Sequence, residues 1–421
     1  MTLVVLVFFA LLTIGVPIAH VVLISAAVGV WIAGNDGLIL VQQTVYGLDS
    51  YILLAIPFFV ISGTIAAQGV TSQRIINVIN AFFGSIRGGL GIATVFACAV
   101  FASVSGSAIA CVIAIGALMY PKLIEHGYPK PLALGIITSA GTLGAMIPPS
   151  IPMLQVAVAL RTSVGAQFIA GFFPGVLIAA SMAIYVYLTA RRHNLTALPR
   201  TDWAHRLKVL RESGWAMSYP VVILGGIYSG IMTPTETAVV SVFYIILIEV
   251  FLYRSLSLPK IMSISSDAIL NAATLTITVA TAQVFVWYMS SEQVPQAVYE
   301  TVSTMIDSKW TLWAALCALF FFLGMFTNVA TAVLILGPIL LPVLGFFEID
   351  LLQFGVVSVL FAEIGFITPP FGLCLFVAMK VTNSSMIEVT RACIPFVVVM
   401  LIDTVILILL PKISTWLPSL L

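Results

Sequence analysis

Residues 105–153 read SGSAIACVIAIGALMYPKLIEHGYPKPLALGIITSAGTLGAMIPPSIPM, and the pattern of this stretch returns further along the chain. A shift of 221 residues aligns GALMYP at 116–121 with GPILLP at 337–342, and GAMIPPS at 144–150 with GFITPPF at 365–371, without a gap. Five glycines and prolines therefore match in one register over roughly 30 positions. Chance agreement in a chain rich in glycine and proline is the alternative, but a shared register of this length favours an internal repeat.

The composition indicates the solvent in which the chain folds. Of its 421 residues, 61% are hydrophobic and 8% are charged, whereas about a quarter of the residues of a soluble domain are charged. A bilayer accepts helices that are hydrophobic on all sides. The sequence therefore predicts an all-α polytopic membrane protein and argues against a soluble enzyme or a disordered scaffold. The net charge of +1 also argues against a nucleic-acid partner, which requires a basic surface.

Gly, Pro, Ser and Thr interrupt several of the apolar runs. A helix that spans the bilayer takes about 20 residues, so runs that are too long for one crossing and too short for two indicate hairpins or broken helices. We predict re-entrant hairpins at about 88–120 and 310–345, and broken helices at about 131–160 and 351–379. The predicted organisation is a first repeat over 1–190, a basic cytoplasmic linker over 191–214 and a second repeat over 215–421.

The basic residues orient these segments in the membrane. The stretch from Arg191 to Glu212 holds six Lys or Arg and two acids, and by the positive-inside rule it belongs to the cytoplasm. Threading the chain outward from it leaves only Arg161, Lys309 and Lys412 outside. The basic residues placed inside are Arg74, Arg87, Lys122, Lys130, Arg191, Arg192, Arg200, Arg206, Lys208, Arg211, Arg254, Lys260, Lys380 and Arg391. This threading predicts that both termini are periplasmic and that the two repeats have opposite orientations.

Two inverted copies with paired broken helices predict a secondary transporter whose site lies between the copies, near the membrane midplane. Each copy offers a polar hairpin tip, SVSGSA at 103–108 in the first and FTNVAT at 326–331 in the second. A proline pair in mid-membrane frees backbone carbonyls, and such backbone is tolerated only inside protein or beside a wet cavity. Freed carbonyls and small hydroxyl groups are suitable ligands for Na⁺.

The candidate cation sites combine a hairpin tip with a helix break. In the first copy the tip residues are Ser103, Ser105, Gly106 and Ser107. We expect them to face Gly141, Thr142, Gly144, Ile147 and Pro149. In the second copy the residues are Gly324, Phe326, Thr327 and Asn328, facing Gly365, Thr368 and Phe371. The large residues would contribute only main-chain carbonyls, and the alternative for both sets is close helix packing, which uses the same small residues.

Ionisable residues inside a membrane are suspected of function by default. In this chain they are Glu236, Glu249, Asp267, Glu363 and Asp403. Glu363 lies two residues before Gly365 and is a candidate proton carrier, with a packing contact as the alternative. Glu236 in TPTETA is a second candidate for either role. His20 has no obvious partner, so a packing role is favoured over a role in a proton relay.

The sequence lacks the residues that three kinds of chemistry require. A serine nucleophile in SVSGSA requires a general base at the same depth, and His126, His193 and His205 all fall in cytoplasmic loops. Neither an HExxH metal motif nor a GxxxxGK[ST] phosphate loop occurs. The five cysteines are scattered through apolar stretches, which fits buried packing better than disulfides or a metal cluster. We therefore expect no enzyme activity and no cofactor, with Na⁺ as the coupling ion.

On these residues the sequence resembles the large membrane subunit of tripartite ATP-independent periplasmic (TRAP) transporters, within the wider ion-transporter superfamily. The resemblance covers nearly the whole chain. It rests on the stretch at 105–153, on AGFFPGVL at 170–177, on GIMTPTETA at 230–238, and on FTNVATAVLILGPILLPV through GFITPPFGLCLFV at 326–377.

The resemblance implies an elevator mechanism in the bacterial inner membrane, in which a transport domain with both hairpins slides against a scaffold. It implies Na⁺ ligands at Ser103, Gly144, Ile147 and Pro149 in the first copy, and at Gly324, Gly365, Thr368 and Phe371 in the second. It also implies two separate partner chains, a four-helix membrane subunit that completes the scaffold and a soluble periplasmic protein that delivers the substrate. Substrates of the family are organic acids, including C4-dicarboxylates and sialic acid.

Three departures from the family pattern adjoin the predicted site. Relatives often carry a second serine where Ala108 stands, an acidic residue near Thr327 and an asparagine where Cys374 stands. The sequence thus predicts the large membrane subunit of a Na⁺-coupled organic-acid importer. One alternative is a stand-alone proton-coupled antiporter or exchanger, in which Glu363 or Glu236 carries the proton. Another is a passive channel, against which the closed hairpin tips argue.

Overall fold

The computed structural model describes residues 2–197, 202–327 and 329–420, and in these ranges the secondary structure is helical, without a β-strand. Within a helix the backbone N–H and C=O groups pair inside the same segment, as a bilayer requires. Seven described helices are long and apolar enough to cross a membrane: Tyr51–Gln68, Ala108–Glu125, Val164–Arg192, Pro234–Leu252, Leu258–Ser291, Lys309–Phe326 and Met386–Leu409. The predicted fold class, an all-α polytopic membrane protein, is confirmed.

The first half of the chain begins with three short helices and ends with a long one. In chain order its helices are α1 (Thr2–Thr13), α2 (Ile18–Ile32), α3 (Leu38–Leu48), α4 (Ala55–Gln68), α5 (Thr71–Phe83), α6 (Gly89–Ser105), α7 (Ala108–Glu125), α8 (Lys130–Gly141), α9 (Ile151–Leu160) and α10 (Val164–Arg192). Short 3₁₀ turns, Tyr51–Leu54 and Thr142–Ala145, precede α4 and follow α8.

The second half follows a short helix in the basic linker. Its helices, with that linker helix first, are α11 (Trp203–Glu212), α12 (Gly214–Tyr228), α13 (Pro234–Ile246), α14 (Leu258–Ser291), α15 (Val294–Met305), α16 (Lys309–Phe326), α17 (Val329–Phe346), α18 (Leu351–Phe366), α19 (Leu373–Thr382), α20 (Met386–Leu409) and α21 (Lys412–Thr415). A π-helical turn, Leu247–Leu252, continues α13, and a 3₁₀ turn, Pro418–Leu420, follows α21.

The two halves have the same order of helices. A shift of 221 residues carries α7 onto α17 at both ends, and carries the start of α8 at Lys130 onto the start of α18 at Leu351. The largest difference is α14, which runs unbroken through 34 residues where the first half has α3 and α4 as separate helices. The internal repeat seen in the sequence therefore extends to the helix bounds, while the opposite orientation of its copies in a membrane stays a prediction.

The two halves interlock through their hairpins. The second arm of each hairpin packs against the last helix of the opposite broken pair, so that α7 lies against α19 and α17 lies against α9. In the same way α8 packs against α20, and α18 packs against α10. One cluster of buried apolar side chains includes residues of both halves. Both hairpins and both helix breaks are therefore held by a shared core.

Some helix bounds differ from the expected segments. The first helix–turn–helix unit extends to Glu125 rather than to about 120, because α7 continues past Pro121. The segment predicted as a linker over 191–214 starts within α10 and contains α11. Helices α3, α5 and α15 were not expected at all. They are short, and α5 and α15 mix polar and apolar residues, so a search for continuous apolar runs passes over them.

Candidate functional site

The first hairpin turns within two residues. Helix α6 ends at Ser105, and Gly106 adopts a left-handed conformation with φ of +60°, which glycine reaches without a steric penalty. Ser107 then caps α7, because its Oγ accepts a hydrogen bond from the Ala110 amide at 3.4 Å. The polar groups of the tip are therefore gathered in a compact turn between the two arms.

The break between α8 and α9 ends at a serine that caps α9. The turn Thr142–Ala145 continues α8, the Pro148–Pro149 peptide bond is cis, and Ser150 caps α9. The Ser150 hydroxyl donates to the Ala145 carbonyl at 2.5 Å and accepts from the Met153 amide at 3.2 Å. Residues 141–150 are all buried. The irregular backbone of this break thus lies inside the protein.

The hairpin tip sits directly on this break. The Ile151 amide donates a hydrogen bond to the Gly106 carbonyl at 3.3 Å. A Cβ atom on Gly144 would lie 2.6 Å from the carbonyl carbon of Ser107, and one on Gly106 would lie 2.7 Å from the carbonyl oxygen of Pro149. Contacts of real Cβ atoms essentially never fall below 3.0 Å. The main-chain atoms of Gly106 and Ser107 are therefore in direct contact with the backbone at Gly144 and Pro149.

The remaining first-copy candidates surround this contact. Ser103 and Thr142 each donate to a carbonyl three residues earlier, at 2.6 and 2.7 Å, so their oxygens keep lone pairs for a further partner. The Oγ of Ser105 is buried without a hydrogen-bond partner among the described residues. Gly141 packs closely on a valine of α7, and the side chain of Ile147 packs against a glycine of α10. Gly141 and Ile147 could therefore offer only main-chain oxygens.

The second hairpin meets its break through two glycines. A Cβ atom on Gly365 would lie 2.6 Å from the carbonyl carbon of Gly324, and one on Gly324 would lie 2.4 Å from the carbonyl oxygen of Ala362. The main chains of helices α16 and α18 are therefore in direct contact at these two glycines. Close by, the Thr368 hydroxyl donates to the Ile364 carbonyl at 2.7 Å and keeps its lone pairs for a further partner.

Two aromatic residues lie at the edge of the second contact. The ring centroids of Phe326 and Phe371 are 5.5 Å apart, and Phe371 is 53% exposed. The Pro369–Pro370 peptide bond is cis and both prolines are exposed, whereas the first break is buried throughout. Thr327 directly follows α16, and Asn328, the other candidate of this tip, lies outside the described residues.

A cavity of about 590 Å³ opens beside the first hairpin tip. Its polar lining comes from both halves of the chain and includes Thr64, Gln68, Ser105, Gln155, Asn271 and Glu363. Among the described residues that line it there is no Lys or Arg. Ala108 and Ile151, the first residues of α7 and α9, also line the cavity. The positive ends of two helix dipoles therefore lie at its wall.

Three polar atoms at this cavity are buried and have no hydrogen-bond partner in the described part of the chain. They are Ser105 Oγ, Gln155 Oε1 and Glu363 Oε2. Glu363 is only 1% exposed. An unpaired buried polar atom costs roughly 1–3 kcal/mol, and in a native protein it calls for an explanation such as a bound ion or ligand. Residues from both copies that line this one cavity thus carry buried polar atoms with unused hydrogen-bonding capacity.

Two of the other suspected acids have partners. Glu236 forms a capping box at the start of α13, where its carboxylate accepts from the Thr233 amide and hydroxyl at 2.8 and 2.9 Å. Asp403 accepts from the Ser181 hydroxyl at 2.7 Å, which links α20 to α10. These contacts give both acids a structural role that does not involve the cavity.

Glu249 joins the two halves away from the cavity. It is fully buried in the π-helical turn after α13, and its carboxylate accepts from the amides of Val70 and Thr71 at 3.2 and 2.9 Å. These are free amide groups at the start of α5, so Glu249 acts as the cap of a helix in the other half. Asp267 and His20 are exposed on the outer surface of the described chain.

Sequence reasoning missed Ser150, Gln155 and Asn271. Ser150 follows the proline pair and precedes an apolar helix, which is the pattern of an N-cap serine. Gln155 and Asn271 are isolated polar residues within apolar helices, and a polar residue in such a position is a sequence signal for a buried polar role. Neither signal indicates that the two side chains share a cavity, since they come from different halves of the chain.

The comparison with protein families gives the context of this site. The profile of the family described as "Tripartite ATP-independent periplasmic transporter, DctM component" matches residues 5–413. The chain belongs to this family. As a TRAP large permease it is a multi-pass protein, and permeases of this family reside in the inner membrane.

Two curated relatives match along most of their length. The permease is 38% identical over 371 residues to the C4-dicarboxylate TRAP transporter large permease protein DctM of Pseudomonas aeruginosa, covering 88% of this chain and 87% of the relative. It is 34% identical over 381 residues to the ectoine TRAP transporter large permease protein TeaC of Halomonas elongata, covering 90% and 89%. Both relatives are transporter permeases rather than enzymes.

A solved structure shares the fold at low sequence identity. The YdaH transporter of Alcanivorax borkumensis superposes with a TM-score of 0.66 at 13% identity, over 90% of this chain and 89% of that one. At this identity the likeness concerns the arrangement of the helices. It agrees with the all-helical, two-hairpin architecture described above.

Proposed function

We propose that this TRAP large permease imports a small organic acid by Na⁺-coupled symport. The observation that carries the proposal is the cavity beside the first hairpin tip. It is walled by the N-termini of α7 and α9, contains unpartnered polar atoms, and is lined by no Lys or Arg among the described residues. A carboxylate can be held there by helix dipoles and by nearby bound cations rather than by a basic side chain.

The two tip-and-break contacts are the proposed Na⁺ sites. Each supplies main-chain carbonyls freed at a helix break together with hydroxyl oxygens, and hard cations prefer oxygen ligands. In the first copy the proposed ligands are Ser103, Gly144, Ile147 and Pro149, with the buried hydroxyl of Ser105 nearby. In the second copy they are Gly324, Gly365, Thr368 and Phe371. The close glycine contacts support this assignment because they align main-chain oxygens of two segments.

The substrate is proposed to be an organic acid by analogy with the relatives, one of which carries C4-dicarboxylates and another ectoine according to their names. The cavity volume of about 590 Å³ falls within the range of roughly 300–1,000 Å³ that is typical of small-molecule sites. Its polar amide and hydroxyl groups suit a compact, strongly hydrated molecule.

The transport cycle is proposed to require two further chains. These are a four-helix membrane subunit, which would complete the scaffold, and a soluble periplasmic protein, which would deliver the substrate. Membership of a tripartite family supports both. Movement of the hairpins as one body against the scaffold would expose the cavity alternately to each side, which is the elevator mechanism. The threading by basic residues supports opposite orientations of the two copies and periplasmic termini.

Proton-coupled exchange by the chain alone is the second candidate. The observation that favours it is Glu363, which is buried at the cavity wall and whose Oε2 has no hydrogen-bond partner in the described ranges. Glu236, the other candidate carrier, is engaged in its capping box and is set aside.

Uptake into proteoliposomes distinguishes the two candidates. The permease is reconstituted with its four-helix subunit, and labelled organic acids are offered with and without the binding protein and an inward Na⁺ gradient. Symport in a tripartite system requires both. Uptake driven by a proton gradient without the binding protein would support the exchanger.

A further inference from the structure

Helix α11 carries an apolar stripe that the described protein leaves uncovered. Trp203, Leu207 and Leu210 are spaced i, i+4 and i+7, so they lie on one face of the helix. Their exposed fractions are 71%, 67% and 38%. An exposed stripe of a tryptophan and two leucines on a helix of ten residues requires a partner or an apolar medium.

The rotation of α11 about its axis is set by contacts on another face. The helix packs against α5. The Arg206 guanidinium donates to the Ser85 hydroxyl at 3.4 Å and lies 5.8 Å from the centre of the Phe82 ring. It also lies 4.9 Å from the ring of Trp203, at the edge of the stripe. The stripe therefore lies beside the face that contacts α5, and the Arg206 contacts fix its direction.

Basic residues border the stripe. Successive residues of a helix are about 100° apart, which places Arg206 on one side of the stripe and Arg211 on the other, with Lys208 further round. Lys208 and Arg211 are both exposed. An apolar face bordered by Lys and Arg, with a tryptophan included, is the pattern of helices that lie in the membrane interface and bind anionic lipid.

The position of α11 in the chain matches this pattern. It lies between the end of α10 at Arg192 and the start of α12 at Gly214. Helix α10 is long and apolar enough to cross the membrane, and its last turn carries two arginines, Arg191 and Arg192. The linker therefore leaves the bilayer at a basic surface, next to the headgroups of one leaflet.

We propose that α11 is a lipid-binding helix that docks on anionic headgroups of the leaflet where α10 ends. Trp203, Leu207 and Leu210 enter the boundary between headgroups and acyl chains, and Lys208 and Arg211 contact lipid phosphates. The charge pattern selects the lipid surface over a protein partner, because the apolar stripe lies between Arg206 and Arg211, and a stripe flanked by two arginines complements a plane of phosphates.

Docking of α11 would also hold α5, which leads into the first hairpin. The Arg74 guanidinium of α5 donates to the Glu212 carbonyl at the end of α11, at 2.6 Å. The same group lies 4.0 Å from the centre of the Tyr253 ring. Anionic lipid bound by α11 is thereby connected through α5 to the hairpin that bears the first proposed Na⁺ site.

Hydrogen exchange of the α11 backbone amides tests the proposal. The full-length chain is placed in nanodiscs of phosphatidylcholine, with or without phosphatidylglycerol. We expect slower exchange over 203–212 with phosphatidylglycerol, and faster exchange again at high salt, which screens the headgroups. The double variant Lys208→Gln/Arg211→Gln should lose roughly thirtyfold of this protection, as expected for two charges at a membrane surface.

The matched control removes the same two charges elsewhere. Arg254→Gln/Lys260→Gln alters exposed positions outside α11 and should leave the protection unchanged. A second variant, Leu207→Ser, should weaken protection without altering its dependence on salt. Equal exchange in both lipids would overturn the proposal. Protection that arises only when the four-helix subunit is added would also overturn it, because the stripe would then be a protein interface.

Discussion

Gly144 and Ser107 meet so closely that a Cβ atom on the glycine would lie 2.6 Å from the serine carbonyl carbon. Gly144 belongs to the break between α8 and α9, and Ser107 is the cap of α7. The contact therefore joins hairpin tip and helix break through main-chain atoms, at the place where the first Na⁺ site is proposed. Its geometry depends on the absence of a side chain.

Gly144→Ala should weaken Na⁺ binding while the protein still folds. The added methyl group must push the tip away from the break, and overpacking of this kind costs about 1–3 kcal/mol. If the whole cost falls on the Na⁺-bound state, it corresponds to roughly a 5- to 150-fold loss in apparent Na⁺ affinity. The measurement is the Na⁺ concentration dependence of uptake in proteoliposomes. Gly225→Ala is the matched control, since no atom of the described residues beyond its own neighbours lies within 4 Å of the Cβ position at Gly225. Equal Na⁺ affinity of both variants would contradict the site.

Gly365→Ala should affect a second, separate cation. Its methyl group would lie 2.6 Å from the Gly324 carbonyl carbon, so the second tip and break would separate. We expect the Hill coefficient for Na⁺ to fall toward 1 in this variant, because one of two cooperating sites is lost. Gly345→Ala should keep the original value, because its Cβ position has no neighbour within 4 Å in the part of the chain that the structure describes. An unchanged Hill coefficient in Gly365→Ala would contradict the second proposed Na⁺ site.

Glu363→Gln should change substrate affinity and leave Na⁺ coupling intact. The side chain lines the cavity, and its Oε2 has no hydrogen-bond partner among the described residues. Replacing the carboxyl group by an amide therefore alters the hydrogen bonds that the cavity offers to a substrate. The measurement is uptake driven by Na⁺ and by a proton gradient, in separate experiments. Glu236→Gln serves as the control, because that carboxylate caps α13 away from the cavity. Loss of all gradient-driven uptake in Glu363→Gln alone would favour the proton-coupled exchanger.

Glu249→Ala should destabilise the protein without altering the Na⁺ requirement of any remaining uptake. The substitution leaves the Val70 and Thr71 amides unpaired, and a buried donor without its partner costs about 1–3 kcal/mol. We expect a lower melting temperature in detergent. Glu300→Ala, which removes an exposed carboxylate from α15, should melt as the unmodified chain does. A melting temperature equal to that of Glu300→Ala would show that the Glu249 contact is not stabilising.

The fold was largely predictable because a bilayer permits so few structures. Composition alone indicated helices, and interruptions by glycine and proline marked the positions of the hairpins and breaks. The helix pairs α6–α7 and α16–α17 accordingly fall close to the segments expected to form hairpins. Helices α5 and α15 escaped notice because a search for continuous apolar runs passes over helices in which polar and apolar residues share the turns, although the apolar residues recur at helical spacing.

The candidate site was predictable only where the signal is local. The contact of Gly106 and Ser107 with Gly144 follows from a repeat whose copies each carry a tip and a break. The cavity residues Gln155 and Asn271 belong to helices from different halves, and a single sequence contains no measure of their proximity. Glu249 looked like a functional acid by depth, and only the structure reveals the backbone amides that it caps. For Glu236 the sequence TPTE at 233–236 already carries the capping-box pattern that the structure contains.

Replacement of Na⁺ by K⁺ tests the central claim most directly. The permease is reconstituted with its four-helix subunit, and uptake of a labelled organic acid delivered by the binding protein is followed under an inward Na⁺ gradient. The same vesicles are then given K⁺ in place of Na⁺, with a pH gradient maintained. We expect accumulation with Na⁺ and none with K⁺. Uptake that continues unchanged in K⁺ would contradict sodium coupling and leave the two tip-and-break contacts as packing alone.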